Sequence, residues 1–168
     1  MKRTLALRSS FVAAFTAAVL LVCASLHCRA QFTPLSGPGS ALSIPQGHLI
    51  QADALNRSLQ VKGASKPLML QVGSHVLFTQ AHIPGSEYAG PGSQSDGLQL
   101  LARRVSSLPK SKAIVLYCGC CPWNRCPNLG PAYQQLQKMG FTNVKVLYLP
   151  NNFGADWADK GFAIERGQ

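Results

Sequence analysis

Residues 113–128 read AIVLYCGCCPWNRCPN, and this stretch decides the fold that the sequence predicts. Its first five residues are apolar and include β-branched and aromatic side chains, which is typical of a buried strand. A loop that contains four cysteines follows directly. Residues 131–139 then carry apolar side chains at helical spacing, with Pro131 suited to a first turn and Gly140 to the position after the last turn. The stretch therefore predicts a strand, a reactive loop and a helix in succession.

Strands and helices alternate on both sides of this stretch. The apolar runs 67–72 and 144–149 predict further strands. Helical patterns occupy 51–59, 96–108 (with Asp96 as its N-cap) and 152–160, while 75–79 is predicted as a second strand or an extended loop. This alternation predicts an α/β domain with a mostly parallel central sheet. Ligands bind such sheets beyond the carboxyl ends of the strands, so the cysteine loop is the leading candidate site.

The composition excludes two classes of protein. Hydrophobic residues make up 46% and charged residues 13% of the 168 residues, which fits neither a disordered chain nor a long coiled coil. The formal charge is +10. Removal of residues 1–30 would leave 12 basic and 6 acidic residues, a charge of +6, and these basic residues are scattered. We therefore expect no nucleic-acid partner, although a basic surface favours anionic substrates.

Residues 1–30 are predicted to be a secretory signal peptide. Lys2, Arg3 and Arg8 precede the apolar run 11–26, and small residues precede a cleavage site before Gln31. The alternative is a membrane anchor, but the run is shorter than the ~20 residues that a spanning helix needs. We expect an exported protein, periplasmic or secreted, with no stable membrane span after cleavage. Residues 31–46, rich in Pro, Gly and Ser, predict a flexible arm before a domain at 47–168.

The cysteines of the mature chain all lie within nine residues of one another. They are Cys118, Cys120, Cys121 and Cys126. A framework of structural disulfides would be spread along the chain, so this clustering indicates local chemistry. Inward-facing loop amides and the following helix N-terminus would stabilise a thiolate, a persulfide or a bound oxyanion. Arg125 is suited to bidentate pairing with a sulfur or phosphorus oxyanion.

These motifs, in this order, resemble the rhodanese family over roughly residues 47–167. His82-Ile83-Pro84-Gly85-Ser86 resembles the family's first motif, and the strand that ends at Cys118 resembles its active-site strand. The segment 140–149, Trp157 and the Gly161-Phe162 pair resemble its later elements. The resemblance implies a three-layer α/β domain, with a central mostly parallel sheet flanked by helices. It also implies transfer of sulfane sulfur through a cysteine persulfide, from an anion such as thiosulfate to a thiol or cyanide-like acceptor, without a metal or organic cofactor.

The loop departs from the family's usual Cys-x4-Arg length, which leaves the nucleophile open. The strand end favours Cys118, whereas the distance to Arg125 favours Cys120, and the strand end is the firmer anchor. We predict a substrate-binding role for a set of loop residues. They are Arg125, Gly119, Cys121, Trp123 and Asn124. A second departure is that 71–73 lacks the family's Asp-x-Arg.

Two other interpretations of the cysteine loop remain open. An oxidising compartment favours a disulfide, for example Cys121 with Cys126 or Cys118 with Cys126, and thus a redox module without sulfurtransferase activity. The spacing lacks the paired Cys-x2-Cys of zinc sites, although Cu(I) accepts compact thiolate sets. We predict structural roles outside the loop for the His82-Ile83-Pro84-Gly85 turn, whose histidine fixes it by hydrogen bonds, and for Trp157 in the core.

Overall fold

A parallel five-stranded sheet forms the centre of the protein. The computed structural model describes residues 44–167. The strand order is β1-β5-β4-β2-β3, and each neighbouring pair is parallel. The strands are β1 (Leu49–Gln51), β2 (Leu68–Gln71), β3 (Glu87–Tyr88), β4 (Ile114–Tyr117) and β5 (Val144–Tyr148). The predicted α/β class with a parallel sheet is thereby confirmed. The predicted signal peptide and all but the last three residues of the predicted arm lie outside the described residues.

Four α-helices and three shorter helical turns surround the sheet in the described part of the chain. The α-helices are α1 (Ala52–Gln60), α2 (His75–Gln80), α3 (Ser95–Val105) and α4 (Leu129–Lys138). Two 3-10 turns and one π turn complete the list: Gln46–His48, Trp123–Arg125 and Gly154–Ala158. Within residues 44–167, none of the helices combines the length and the apolar character that a membrane crossing requires.

Helix α2 corrects the sequence prediction, which gave a strand or extended loop at 75–79. In a strand, Val76 and Phe78 would point to the same face. In the structure Val76 is 63% exposed and Phe78 is 4% exposed. A short surface helix buries only one such side chain, here Phe78. The strand prediction was wrong because it relied on the apolar composition of the segment. A smaller correction concerns Asp96, which lies inside the first turn of α3 and is not its N-cap.

Alternation along the strands produces the three layers. Leu70, Leu116 and Val146 are paired in register across β2, β4 and β5, and each is fully buried on the face covered by α3 and α4. Val115 and Leu147 point to the opposite face, which α1 and the π turn cover. Burying a side chain of this size stabilises the fold by about 1.5–3 kcal/mol. The row of three aliphatic residues therefore fixes the register of the central strands.

The same register sets the edge at which the cysteine loop starts. Gln71 and Tyr117, the last residues of β2 and β4, are paired directly. The buried Gln71 side chain accepts a hydrogen bond from the Gly73 N–H at 3.0 Å and donates one to the Cys118 carbonyl oxygen at 3.2 Å. The Gln71 side-chain amide thus connects, by hydrogen bonds, the segment after β2 and the segment after β4.

Candidate active site

The loop cysteines converge at the carboxyl end of β4. Cys118 follows the strand directly and is 3% exposed, whereas Cys120 is only partly buried. The Cys120 Sγ lies 3.1 Å from the Cys118 Sγ and 3.1 Å from the Cys121 Sγ. The sulfurs of Cys118, Cys120 and Cys126 all lie within 4.8 Å of one another. Residues separated by up to eight positions in sequence therefore form one sulfur cluster, consisting of Cys118, Cys120, Cys121 and Cys126.

Glycine at position 119 allows the chain to leave the strand in this direction. Gly119 has φ +74°, in the left-handed region that favours glycine. A Cβ at this position would lie 2.5 Å from the Cβ of Phe153. The Phe153 N–H donates a hydrogen bond to the Gly119 carbonyl oxygen at 3.0 Å. The start of the loop is therefore held against the segment that precedes the π turn.

The distal part of the loop is held by the end of β5. The Trp123 N–H donates to the Pro150 carbonyl oxygen at 3.1 Å, and the indole ring meets the Tyr148 ring edge-on at 5.1 Å between centroids. Asn124 and Arg125 are exposed. Of the predicted substrate-binding residues, Gly119, Cys121 and Trp123 therefore pack within the loop, while Asn124 and Arg125 face solvent.

The structure reveals a polar contact that the sequence prediction missed. Asn128 is 6% exposed, and its Nδ2 donates to the Cys118 Sγ at 3.3 Å and lies 3.8 Å from the Cys120 Sγ as a weaker donor. Its Oδ1 accepts a hydrogen bond from the Ser93 N–H at 3.0 Å, which fixes the amide orientation. The only sequence signal was a polar residue directly before a predicted helix. Its contact with the sulfurs depends on the loop returning to the strand end.

Hydrogen bonds among the thiols place a negative charge on Cys120. The Cys118 S–H donates to the Cys120 sulfur and, with a further contribution from Cys126, lowers the pKa of Cys120 to about 2. The same hydrogen bond raises the pKa of Cys118, and burial raises it further. Burial is the main cause that raises the pKa of Cys121 to about 12. The thiolate form is therefore favoured at Cys120, the partly exposed central sulfur of the cluster, over the other three cysteines.

Backbone amides contribute to the cluster at two points. The Cys120 N–H lowers the pKa values of both Cys118 and Cys120. At Cys126, the hydrogen bond with Cys118 lowers the pKa, and the N–H groups of Asn128 and Leu129 act in the same direction, but the hydrogen bond with Cys120 and burial raise it overall. The sequence predicted a nest of loop amides around Cys118 or Cys120. In the described residues, neighbouring thiols and the Asn128 amide supply most of the donors instead.

A cavity of about 310 Å³ opens beside the loop. Cys118, Gly119 and Cys120 form one wall. The ends of β2 and β4, the end of helix α2, and the π turn with the two residues before it form the others. Those other walls are formed by Gln71, Leu77, Gln80, Ala81, Tyr117, Asn152, Phe153, Gly154 and Ala158. The volume is large enough for a small anion or thiol beside Cys118 and Cys120.

The segment His82-Ile83-Pro84-Gly85-Ser86 forms a turn held by backbone and aromatic contacts. The His82 Nδ1 lies 2.9 Å from the Phe78 carbonyl oxygen, to which it can donate, and its ring stacks on the Phe78 ring at 4.1 Å. The Ser86 N–H donates to the Ile83 carbonyl oxygen at 2.9 Å and closes the turn that contains Pro84 and Gly85. These contacts hold the turn in place; its structural role stays a prediction.

Two buried aromatic residues connect the motif and the chain end to the sheet. The Tyr117 hydroxyl lies 2.7 Å from the Ser86 Oγ and accepts from the Ile83 N–H at 3.3 Å. Burial raises the pKa of Tyr117 to about 12. Trp157 is 1% exposed and its Nε1–H donates to the Ala163 carbonyl oxygen at 2.9 Å. These contacts place Trp157 in the core, where the sequence predicted it.

The cysteine cluster consists of free thiols in this structure. Cys118, Cys120, Cys121 and Cys126 are all unpaired. The predicted Cys121–Cys126 and Cys118–Cys126 disulfides therefore remain predictions for an oxidised form of the protein. In the reduced form, the cluster offers one thiolate, three thiol donors and an open cavity.

Comparisons with known proteins identify related sequences and folds. The rhodanese-like domain family matches residues 53–148. The Alr3790 protein from Anabaena sp. is 25% identical, with 70% of this chain and 82% of that chain covered and a TM-score of 0.54. The BH2092 protein from Bacillus halodurans is 21% identical, with 71% and 77% covered and a TM-score of 0.55. No curated protein matches the sequence.

A third similar structure belongs to a larger enzyme. The anaerobic ergothioneine biosynthesis enzyme from Chlorobium limicola, solved with trimethyl histidine, is 22% identical with a TM-score of 0.50. The comparison covers 70% of this chain and 28% of that chain. At this identity the similarity shows a shared fold.

Proposed function

The chain belongs to the rhodanese-like domain family, as the sequence predicted, and on that basis we propose that it moves sulfane sulfur through a cysteine persulfide. One observation carries the proposal. Cys120 lines a cavity of about 310 Å³, and neighbouring thiols lower its pKa and so favour its thiolate form. A thiolate, unlike a thiol, is a competent nucleophile towards a sulfur–sulfur bond. The proposed reaction class is therefore sulfur transfer from a small anion such as thiosulfate.

We assign the attacking sulfur to Cys120. Cys120 is partly exposed at the cavity, while Cys118 is 3% exposed and has a raised pKa. Cys120 also gives the family's Cys-x4-Arg spacing to Arg125. In this assignment Cys118 is a positioning residue that donates a hydrogen bond to the nucleophile. In this assignment the nucleophile, Cys120, lies two residues after Cys118, the strand-end position that the resemblance to the family favoured.

The first half-reaction forms one bond and breaks one. The Cys120 thiolate attacks the outer sulfur of thiosulfate, and the sulfur–sulfur bond of the donor breaks. Its electron pair leaves with sulfite, and a Cys120 persulfide anion remains. The Asn128 Nδ2 and the Cys118 S–H are placed to donate hydrogen bonds to that anion. Arg125 is exposed in the same loop and does not line the cavity, so we assign it a role in attracting the anion from solvent.

The second half-reaction returns the enzyme to its starting state. A thiolate or cyanide acceptor attacks the terminal sulfur of the persulfide, and the Cys120 thiolate leaves with the electron pair of the broken bond. Thiols of low pKa are the better leaving groups in such exchanges. The hydrogen bonds that lower the pKa of Cys120 therefore assist this half-reaction more than the first.

The test is formation of thiocyanate from thiosulfate and cyanide by the reduced protein. We expect turnover by the wild-type protein and by Cys118→Ser, whose hydroxyl still donates a hydrogen bond, and no turnover by Cys120→Ser. Circular dichroism confirms that each variant is folded. The assignment of Cys120 fails if Cys118→Ser is inactive and Cys120→Ser is active. The proposed function fails if the wild-type protein produces no thiocyanate.

Thiol–disulfide exchange is the second candidate function. The 3.1 Å separation between the Cys118 and Cys120 sulfurs favours it, because oxidation can join sulfurs at this distance with little movement. A thiol count before and after mild reduction separates the candidates. An oxidised protein that gains two free thiols on reduction and forms no thiocyanate supports exchange.

Export from the cytoplasm is part of the proposal. The predicted cleavage site lies before Gln31. Mass spectrometry of the N-terminal peptide of the processed protein from its native host is expected to show a chain that begins at Gln31, in a periplasmic or secreted fraction. Recovery of an uncleaved chain in the cytoplasm contradicts this prediction.

A further inference from the structure

We propose that Cys118, Cys120 and Cys126 form a three-thiolate site for a soft monovalent cation, Cu(I). Their sulfur atoms all lie within 4.8 Å of one another, and no carboxylate or imidazole joins this group in the described part of the chain. Metal binding at this site is a different function from sulfur transfer. It uses Cys126 as a ligand, and Cys126 is not the nucleophile of the proposed sulfur transfer. A bound ion and a persulfide would exclude each other at Cys120.

The sulfur positions require only a small adjustment. Thiolate ligands lie about 2.3 Å from a metal ion, which separates three sulfurs in a trigonal plane by about 4 Å. The Cys118 and Cys120 sulfurs are 3.1 Å apart, and the largest separation in the group is at most 4.8 Å. Displacements of about 1 Å or less therefore convert the thiol cluster into a trigonal site. Side-chain rotation of Cys120, which is only partly buried, supplies such a displacement.

The donor set selects the class of ion. Thiolates favour soft ions such as Cu(I), and structural zinc sites in proteins are almost always four-coordinate. This group offers three sulfurs. Cys121, the fourth cysteine of the loop, contacts Cys120 at 3.1 Å but is not part of the group. A three-coordinate ion therefore fits better than a tetrahedral one.

Hydrogen-bond donors around the sulfurs offset the charge of the filled site. Three thiolates and one Cu(I) carry a net charge of −2, and the thiol protons leave to solvent. The buried Asn128 amide faces two of the three sulfurs and is itself fixed by the Ser93 N–H. The backbone N–H groups of Asn128 and Leu129, at the start of α4, face Cys126. Such outer contacts orient ligands and raise metal affinity.

The experiment is an anaerobic titration of the reduced full chain with Cu(I) against a chromophoric Cu(I) chelator. We expect one Cu(I) per chain, and X-ray absorption of the complex with about three sulfur neighbours at about 2.3 Å. Cys126→Ser removes a ligand and is expected to weaken binding by at least about 100-fold, whereas the matched variant Cys121→Ser, which keeps a hydroxyl next to the Cys120 sulfur, weakens it clearly less. The X-ray absorption measurement uses the wild-type protein, so it tests the site even if a variant fails to fold.

The outcomes separate this proposal from the sulfurtransferase proposal. A wild-type protein that forms thiocyanate but binds no Cu(I) overturns the metal site alone. A protein that binds one Cu(I) through three sulfurs but forms no thiocyanate supports the metal site alone. Equal Cu(I) affinity of Cys126→Ser and wild type, or equal losses in Cys126→Ser and Cys121→Ser, also overturns the three-cysteine assignment.

Discussion

Replacing Gly119 by alanine tests how tightly the cysteine loop is held against the chain after β5. Gly119 has φ +74°, and a left-handed conformation costs an L-residue roughly 1–2 kcal/mol. The new methyl group would lie 2.5 Å from the Phe153 Cβ, and forcing such an atom into a packed region costs typically about 1–3 kcal/mol. The free energy of unfolding is therefore expected to fall by roughly 2–5 kcal/mol.

The matched control is Gly140→Ala. Gly140 also has a positive φ, +85°, but a Cβ there meets nothing within 4 Å. This control carries only the conformational cost, and the lower entropy of the unfolded alanine chain affects both variants alike. The difference between the two variants is therefore the cost of the Phe153 contact, about 1–3 kcal/mol.

Urea unfolding of the reduced proteins, followed by circular dichroism, measures both variants. The slope of the free energy against urea concentration must agree between them for the comparison to hold. Equal destabilisation by Gly119→Ala and Gly140→Ala would refute the reasoning, because it would mean that the loop does not pack against Phe153 as described.

Three further predictions concern hydrogen bonds and charges near the site. Asn128→Leu removes the hydrogen bonds that Asn128 makes with the Ser93 N–H and the Cys118 sulfur, and at about 0.5–1.5 kcal/mol each a loss of roughly 1–3 kcal/mol in urea unfolding is expected; a loss below about 0.5 kcal/mol would contradict it. Burial raises the pKa of Tyr117 from 10.0 to about 12, so the neutral phenol is favoured in the folded state. The stabilising contribution of Tyr117 is therefore constant below about pH 10 and is lost as the pH rises towards 12. Urea unfolding midpoints measured between about pH 10 and pH 12 test this. The midpoint of Tyr117→Phe is expected to fall less steeply with pH than that of the wild-type protein. Glu87→Gln removes an exposed ion pair with Arg104 and is expected to change unfolding by less than about 1 kcal/mol, whereas a larger change would show that the pair is structural.

The elements that the sequence predicted well have strong local patterns. Strands β2, β4 and β5 are rich in apolar residues, continuously so in β4, and helices α1, α3 and α4 carry apolar residues at helical spacing. Strand β1, which contains three residues, and β3, which contains two, were missed. Both lie at the edges of the sheet, where pairing with a distant strand, and not the local sequence, defines them.

The sequence placed the cysteine loop directly after β4, where the structure has it, but it did not predict the contacts within the loop. Local sequence located the cysteines at the end of β4 because the strand before them is unambiguous. It could not decide between Cys118 and Cys120, since the difference in burial arises from how the loop folds back over the sheet. The contact between Asn128 and the sulfurs joins residues ten positions apart, and nothing in the local pattern indicates it.

Peptide mass spectrometry of the thiosulfate-treated protein tests the central claim most directly. The reduced chain is incubated with thiosulfate, digested without reductant and analysed for a gain of about 32 Da, one sulfur atom, on a cysteine. The account predicts this gain on Cys120, with the Cys118, Cys121 and Cys126 thiols unmodified. A gain on Cys118, or no gain on any of the four cysteines, would contradict it.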